Sequence, residues 1–157
     1  MRTLFLSLFF ASFLVLSGCG VLSLDDEGEG LAELISENRE LWQETNLENY
    51  NYTYNLGIGE QQLEDIQVFV RGGVVDSAAV DGVGVEDISA RSDSQLFVTV
   101  DDLFVRVRDA FERDTDGVFT AAFNDLYGFP TRYRALASES TPGEQLSVQN
   151  FDDLQEQ

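Results

Sequence analysis

The sequence has no histidine and no lysine, and Cys19 is its only cysteine among 157 residues. Nucleophilic triads and most metal-dependent hydrolases depend on an imidazole or a thiolate, and zinc sites use the same ligands. A single cysteine also excludes an intramolecular disulfide. We therefore expect no catalytic residues, no metal ion and no cofactor, and we interpret the chain as a protein that is not an enzyme.

Positive charge is scarce. Nine arginines stand against 29 acidic residues, which gives a formal net charge of −20. A field of this sign repels nucleic acid and anionic lipid surfaces, so neither is expected as a partner. The acidity could instead attract cations or a basic partner, or it could be a solubility adaptation to a saline habitat. A stand-alone cation-binding protein is the corresponding third option for function.

Long apolar stretches are lacking except near the amino terminus. Arg2 precedes an apolar run from Leu4 to Leu16, which is shorter than the roughly 20 residues needed to cross a membrane. Such a run is typical of a signal-peptide core. It is followed by Leu16-Ser17-Gly18-Cys19, which resembles the lipobox of bacterial lipoproteins, although an ordinary secretory leader is the alternative. The prediction is cleavage before Cys19 and anchoring of Cys19 to a membrane by lipid.

This interpretation divides the chain into three parts. Residues 1–18 are the predicted lipoprotein signal peptide, 19–30 a lipidated, flexible and acidic tether, and 31–157 a single domain. Gly20 occupies the position at which aspartate would indicate retention in the inner membrane. In a Gram-negative host we therefore expect the outer membrane, with the domain facing the periplasm.

Hydrophobic periodicity predicts two helices, over about 30–45 and 100–113. Thr99 and Asp102 have the spacing of a capping box at the start of the second helix. The first strand carries Tyr50, Tyr52 and Tyr54 on one face, where packing is the expected role. Gly72-Gly73 between two alternating runs predicts a tight hairpin, because both turn residues need positive φ.

Further strands are expected over 119–123, 131–135 and 146–151, whereas 81–96 has the composition of a polar loop. The fold class predicted is α+β: an antiparallel sheet of about five to six strands with two helices packed on one face. The turn Tyr127-Gly128-Phe129-Pro130 lies between the strands expected over 119–123 and 131–135, and it is expected to be structural, with the glycine admitting a backbone bend.

Two arginines provide the most specific candidate site. Arg132 and Arg134 alternate on one strand face and could bind an anionic ligand or partner, joined by Arg71 if its hairpin lies alongside. Surface salt bridges with the abundant acids are the alternative. The segment Asp114-Thr115-Asp116-Gly117 weakly resembles a calcium loop, but its next positions lack the required oxygen ligand and glycine.

Five sequence motifs occur in a fixed order along these elements. They are Trp42, Asn51-Tyr52-Thr53-Tyr54, Val68-Phe69-Val70-Arg71-Gly72-Gly73-Val74-Val75, Thr99-Val100-Asp101-Asp102-Leu103-Phe104 and Tyr127-Gly128-Phe129-Pro130-Thr131-Arg132. With these motifs the chain resembles a bacterial family of unknown function, domain of unknown function 6174. The resemblance covers about Trp42 to Phe151 and implies the fold but no activity. Many family members have cysteines after the first strand and an acidic pair before the last strand, where this chain has Leu56-Gly57-Ile58-Gly59-Glu60 and Glu144-Gln145.

The leading functional hypothesis is a membrane-anchored, non-catalytic binding domain in the cell envelope, with an envelope protein as a partner and no small-molecule ligand identified. The alternative is a carboxylate-dependent hydrolase acting on envelope glycans, since paired carboxylates can hydrolyse glycosidic bonds without histidine or cysteine. With 29 acids in the chain, spacing alone selects no such pair.

Overall fold

The structure is a computed structural model that describes residues 28–85, 94–113, 118–136 and 142–154. These residues form two helices and one seven-stranded sheet, with neighbouring strands antiparallel in the order β4-β3-β2-β1-β7-β6-β5. The elements are α1 (Gly28–Thr45), β1 (Tyr50–Ile58), β2 (Gln61–Arg71), β3 (Val74–Val80), β4 (Val83–Val85), α2 (Val100–Arg113), β5 (Phe119–Phe123), β6 (Pro130–Ala135) and β7 (Glu144–Asp153).

The α+β class and the antiparallel sheet are confirmed, but the predicted strand number is wrong. The additional strand is β4, which lies in the segment interpreted as a polar loop and pairs with β3 through three residues. Asp81 and Gly82 form the connecting turn, and both have positive φ. A strand this short gains most of its stability from the neighbour it extends, so its own sequence carries little periodic signal.

One face of the sheet carries the hydrophobic core. Tyr50, Tyr52 and Tyr54 are each at most 2% exposed, as packing residues should be. Trp42 of α1 meets Tyr50 edge to face, with ring centroids 5.3 Å apart. The backbone N–H of Val100, at the start of α2, donates a hydrogen bond to the Tyr50 hydroxyl at 3.0 Å. Side chains of both helices therefore contact the tyrosine-bearing face.

The local signals at turns and helix ends are confirmed. Gly72 and Gly73 have φ of 59° and 75° in the β2–β3 turn. At the start of α2, the Thr99 N–H donates to Asp102 and the Asp102 N–H donates to the Thr99 hydroxyl. These reciprocal bonds satisfy two N–H groups that the helix itself leaves unpaired.

Gly128 joins the turn before β6 to the first helix. Its φ is 78°, and a Cβ atom there would lie 2.3 Å from the Asn38 carbonyl oxygen in α1. Glycine is thus required both for the backbone conformation and for the close approach of the two segments. Phe129, the next residue, is buried and meets Trp42 at a centroid distance of 6.4 Å.

Among the described residues, no helix is both long and apolar enough to span a membrane. Cys19 and the predicted leader and most of the tether lie outside the described residues, as does the weak calcium-loop resemblance at 114–117.

A candidate ligand-binding trough on the open face of the sheet

The opposite face of the sheet contains a trough of about 380 Å³ across four neighbouring strands, β6, β7, β1 and β2. At the trough, the residues of this face alternate with the core residues of the same strands, and they are polar, small or charged. The side chains that line the trough are Asn55, Gln62, Glu64, Arg132, Arg134, Gln145 and Ser147, together with Gly57.

Arg132 and Arg134 form one end of the trough. Both are exposed, and the buried Tyr133 between them points into the core. Residues two apart on a strand share a face and lie roughly 6.6 Å apart, so both arginine side chains line the same trough. The structure thus brings together both arginines that the sequence selected.

Neither arginine has a charged neighbour across the strands. Arg132 is opposite Ala122 on β5 and Ser147 on β7. Arg134 is opposite Thr120 on β5 and Gln145 on β7. In the described part of the chain neither guanidinium forms an ion pair. The surface salt bridges of the alternative interpretation are thus not found for this pair among the described residues.

A glycine forms the floor of the trough. Gly57 of β1 pairs with Gln62 of β2 and with Gln145 of β7. A Cβ atom on Gly57 would lie 2.7 Å from the Gln62 amide nitrogen and 2.9 Å from Cγ of Gln145. Because glycine leaves this space free, the two side chains lie across it, and the Gln145 amide donates to the Gln62 amide oxygen at 3.3 Å.

The far end of the trough is shaped by a β-bulge. Tyr54 pairs with Ile66 and Leu56 with Leu63, so one residue of β1 faces two of β2. The extra residue, Asp65, has a φ of 49°, and its N–H donates to the Asn55 side-chain oxygen at 3.0 Å. Bulges redirect side chains locally. Here Glu64 lines the trough, at the end opposite to the arginines.

Arg71 does not join the arginine pair, contrary to the expectation from the sequence. Its strand, β2, is separated from β6 by β1 and β7. It also lies at the other end of the sheet, next to Val74 in the β2–β3 hairpin. One guanidinium nitrogen of Arg71 donates to the Val70 carbonyl at 2.7 Å. Arg71 therefore ties down its own hairpin and is not available to the trough.

On the core side of the same strands, another pair of arginines forms ion pairs with a carboxylate. Arg106 and Arg113 of α2 form ion pairs with Glu144 at 3.2 Å and 3.1 Å. The Tyr133 hydroxyl donates a hydrogen bond to the same carboxylate. The Glu144 side chain is only 11% exposed. Burial raises the pKa of Tyr133, and the neighbouring charge of Glu144 raises it further, so this hydroxyl stays protonated as a donor.

The tyrosines of β1 attach the segment before α2 to the sheet. The Tyr52 hydroxyl donates to the Val98 carbonyl and the Tyr54 hydroxyl donates to the Leu96 carbonyl. Burial raises the pKa of Tyr50 and of Tyr54 to about 12, and it also raises that of Tyr52. These hydroxyls are structural donors or acceptors at neutral pH.

A family model for a family of unknown function, DUF6174, matches residues 34–151. The chain belongs to this family. Comparison with curated proteins and comparison with solved structures give no significant match.

This chain departs at two places from the sequence features expected of the family, and both places lie at the trough. Gly57, which forms the floor, lies in the segment where cysteines are common, and Gln145 lies where an acidic residue is expected. Glu144, its neighbour, points to the other side of β7 and binds the arginines of α2. The trough of this DUF6174 member is accordingly lined by amides and arginines at these two places.

Sequence reasoning selected the arginines but missed the other trough residues. Asn55, Gln62 and Ser147 belong to strands whose pairing across the sheet no local pattern reveals. The signal that could have located Gln62 is the hairpin from β1 to β2, with Gly59 and Glu60 as the two turn residues. In the described ranges no group of three acidic or cysteine side chains is arranged to hold a metal ion.

Proposed function

We propose that this DUF6174 member is a non-catalytic lipoprotein of the cell envelope, anchored by lipid on Cys19, whose trough binds an anionic group of an envelope protein. The leader, its short apolar core and the residues before Cys19 support the anchoring. In a Gram-negative host the absence of aspartate after Cys19 favours the outer membrane, with the trough facing the periplasm.

The observation that carries the binding proposal is a pair of exposed arginines that form no ion pair with any described residue of this strongly acidic chain. With 29 acidic and nine basic residues, an exposed arginine is expected to have an acid nearby. Arg132 and Arg134 instead face alanine, threonine, serine and glutamine across the strands. Their guanidinium donors match carboxylate and phosphate oxygens geometrically, and no described residue of the chain forms an ion pair with them, which supports binding of a group outside the chain.

The surroundings of the pair favour recognition over catalysis. Trough side chains at the centre are amides and a hydroxyl, which donate and accept hydrogen bonds without transferring protons at neutral pH. Its volume, about 380 Å³, lies in the range of sites that hold small ligands or single side chains. The most enclosed carboxylate near it, Glu144, is occupied by Arg106, Arg113 and Tyr133 on the core side.

Crosslinking in the native envelope tests the binding. The full-length chain should capture a stoichiometric protein partner, and the double variant Arg132→Gln/Arg134→Gln should lose at least about tenfold in capture, since each charge-assisted contact is worth roughly 1.5–3 kcal/mol. Arg108→Gln is the matched control, because Arg108 is an exposed arginine of α2 with only surface ion pairs. Equal capture by both variants would refute the role of the trough.

A separate experiment tests the anchor and the absence of catalysis. Cys19→Ser should leave the circular dichroism spectrum of the domain unchanged and remove both lipid labelling and membrane retention. A Cys19→Ser protein that remains lipid-labelled would contradict the anchor. Turnover of envelope glycans by the wild-type chain, abolished by replacing one aspartate or glutamate, would instead establish the hydrolase.

A further inference from the structure

The trough carries opposite charges at its two ends. Arg132 and Arg134 on β6 form one end, and Glu64 on β2 forms the other. Two strands, β7 and β1, lie between them, so the ends are three strand spacings apart, or roughly 14 Å between backbones. In the described residues Glu64 makes no ion pair with either arginine. The charges are thus held apart on one surface.

Uncharged hydrogen-bonding groups fill the space between the two charged ends. One row runs from Arg132 through Ser147 to Asn55, and a second runs from Arg134 through Gln145 over Gly57 to Gln62. Each primary amide offers both donors and acceptors. Peptide groups need one donor and one acceptor at every residue, so these rows match the backbone of a short extended peptide better than they match a simple anion.

The net charge of the protein also favours a ligand that carries both signs. At −20 the chain repels an approaching anion at long range, whereas a zwitterion has no net charge to repel. At the adjoining end of the sheet Glu60 lines a second depression that shares Gly57, Gln62 and Arg134 with the trough. Glu64 itself remains the acidic side chain of the trough lining, and a cationic group there would be attracted.

From these placements we infer that the trough binds a short peptide-like zwitterion, with its terminal carboxylate between Arg132 and Arg134 and a cationic group at Glu64. This assignment rests on the proposed anion recognition by the arginines. An extended chain covers at most about 3.6 Å per residue, so the carboxylate and the cation are separated by about three to four residues. The ligand is either a free short peptide or the carboxyl-terminal end of a protein with a basic residue near it.

Calorimetric titration of the full-length chain in a neutral detergent distinguishes these chemistries. The probes are tetra-alanine with both ends free, its N-acetyl form, its C-amide form, and N-acetyl-Lys-Ala-Ala-Ala. The free peptide should bind about three- to fivefold tighter than the N-acetyl form, as expected for one partly solvated ion pair. The C-amide form should bind at least about tenfold more weakly than the free peptide, because it leaves the arginines without a carboxylate.

Variants assign each end of the peptide. Glu64→Gln should abolish the advantage of the free peptide over the N-acetyl form, and Glu40→Gln, an exposed acid of α1, should preserve it. Restored affinity of N-acetyl-Lys-Ala-Ala-Ala would identify a protein terminus as the source, and preference for free tetra-alanine would identify a free peptide.

Three outcomes would overturn the assignment, and the last of them would also overturn the proposed function. If the free and N-acetyl peptides bind equally and Glu64→Gln changes neither, the trough recognises only an anion. The same conclusion follows if no peptide binds but the arginine variants still lose envelope capture. If no peptide binds and capture is also unaffected by the arginine variants, both proposals are wrong.

Discussion

The arginines on the two faces of the sheet differ in their charged neighbours. On the helix-covered face, Arg106 and Arg113 converge on one carboxylate, Glu144, which is 11% exposed. On the open face, Arg132 and Arg134 have only uncharged neighbours across the strands. The first arrangement forms ion pairs within the fold, whereas the second forms none with any residue that the structure describes.

Strand β6 shows how closely the two roles are interleaved. Arg132, Tyr133 and Arg134 are consecutive, and alternation along the strand sends the tyrosine to the core and the arginines to the trough. Glu144 and Gln145 alternate in the same manner at the start of β7. Substitutions on the two faces should therefore separate stability from binding, although the residues are adjacent in sequence.

The largest expected effect is a loss of folding stability at high pH, and it arises from the tyrosines of the helix-covered face. Tyr50, Tyr52, Tyr54 and Tyr133 have pKa values raised by burial, to about 12 for Tyr50 and Tyr54, while the unfolded chain ionises near 10. Since the folded state holds these protons more tightly, its stability is complete below pH 10 and falls between pH 10 and about 12. Each group lowers the folding equilibrium constant up to about tenfold per pH unit.

Four such groups together remove about 5 kcal/mol by pH 11, which is comparable to the whole stability of many domains. Circular dichroism and tyrosinate absorbance recorded on the same samples should change together in one steep transition. Tyr54→Phe should move this transition to higher pH, at a cost of about 1 kcal/mol at neutral pH for the lost hydrogen bond to Leu96. If the tyrosinate absorbance instead rose gradually near pH 10 while the circular dichroism spectrum stayed unchanged, that result would contradict burial of these hydroxyls.

The next largest effect is expected at the contact between α1 and the turn before β6. Gly128→Ala combines a positive φ with a Cβ position 2.3 Å from the Asn38 carbonyl oxygen, and it should lower the free energy of unfolding by about 3 kcal/mol or more. Gly72→Ala is the control, since its φ is 59° but no atom lies within 4 Å. That variant should cost only about 1 kcal/mol. Urea denaturation measures both, and equal losses would show that the close approach is unimportant.

Replacing one arginine on each face tests the comparison directly. Arg106→Gln leaves the enclosed Glu144 with one ion pair fewer, and we expect a loss of about 2 kcal/mol, less than for a fully buried pair because both side chains retain some exposure. Arg134→Gln should change the unfolding free energy by no more than about 0.5 kcal/mol. Equal destabilisation by the two variants in urea would mean that the open-face arginines are structural.

How far the sequence predicts this molecule depends on the range of the interactions involved. Helix boundaries, the Gly72-Gly73 turn and the Thr99–Asp102 capping box follow from neighbouring residues, and the structure confirms them. Alternation likewise placed Arg132 and Arg134 on one strand face. These features need no knowledge of which strands are adjacent.

The remainder of the trough depends on the order of strands, which the sequence does not encode locally. The last strand, β7, inserts between β1 and β6, and this places Gln145 and Ser147 between the arginines and Asn55. Arg71 could join Arg132 and Arg134 only if its hairpin lay alongside them, and no local pattern shows where that hairpin lies in the sheet. Gly57 belongs to the segment placed after the first strand, yet it is a buried residue of that strand. Its missing side chain creates space for its neighbours.

A small expected change in stability, at Gly57, offers a further test of the open face. Gly57→Ala introduces a Cβ atom 2.7 Å and 2.8 Å from the ends of the Gln62 amide, which can swing toward solvent, and 2.9 Å from Cγ of Gln145. We expect a loss of less than about 1 kcal/mol in urea, because both glutamines are exposed and can move. Gly84→Ala in β4, with no atom near its Cβ position, is the matched control.

Binding should respond to Gly57→Ala far more than folding does. The two displaced amides belong to the row that joins Arg134 to Gln62, so affinity for the free tetrapeptide should fall several-fold while the Gly84→Ala protein binds normally. Preorganised donors and acceptors contribute to affinity because the ligand does not have to order them. The methyl group of Gly57→Ala and a bound peptide cannot occupy the same point of the trough. An unchanged affinity in this variant would therefore place the ligand away from Gly57 and confine recognition to the arginines.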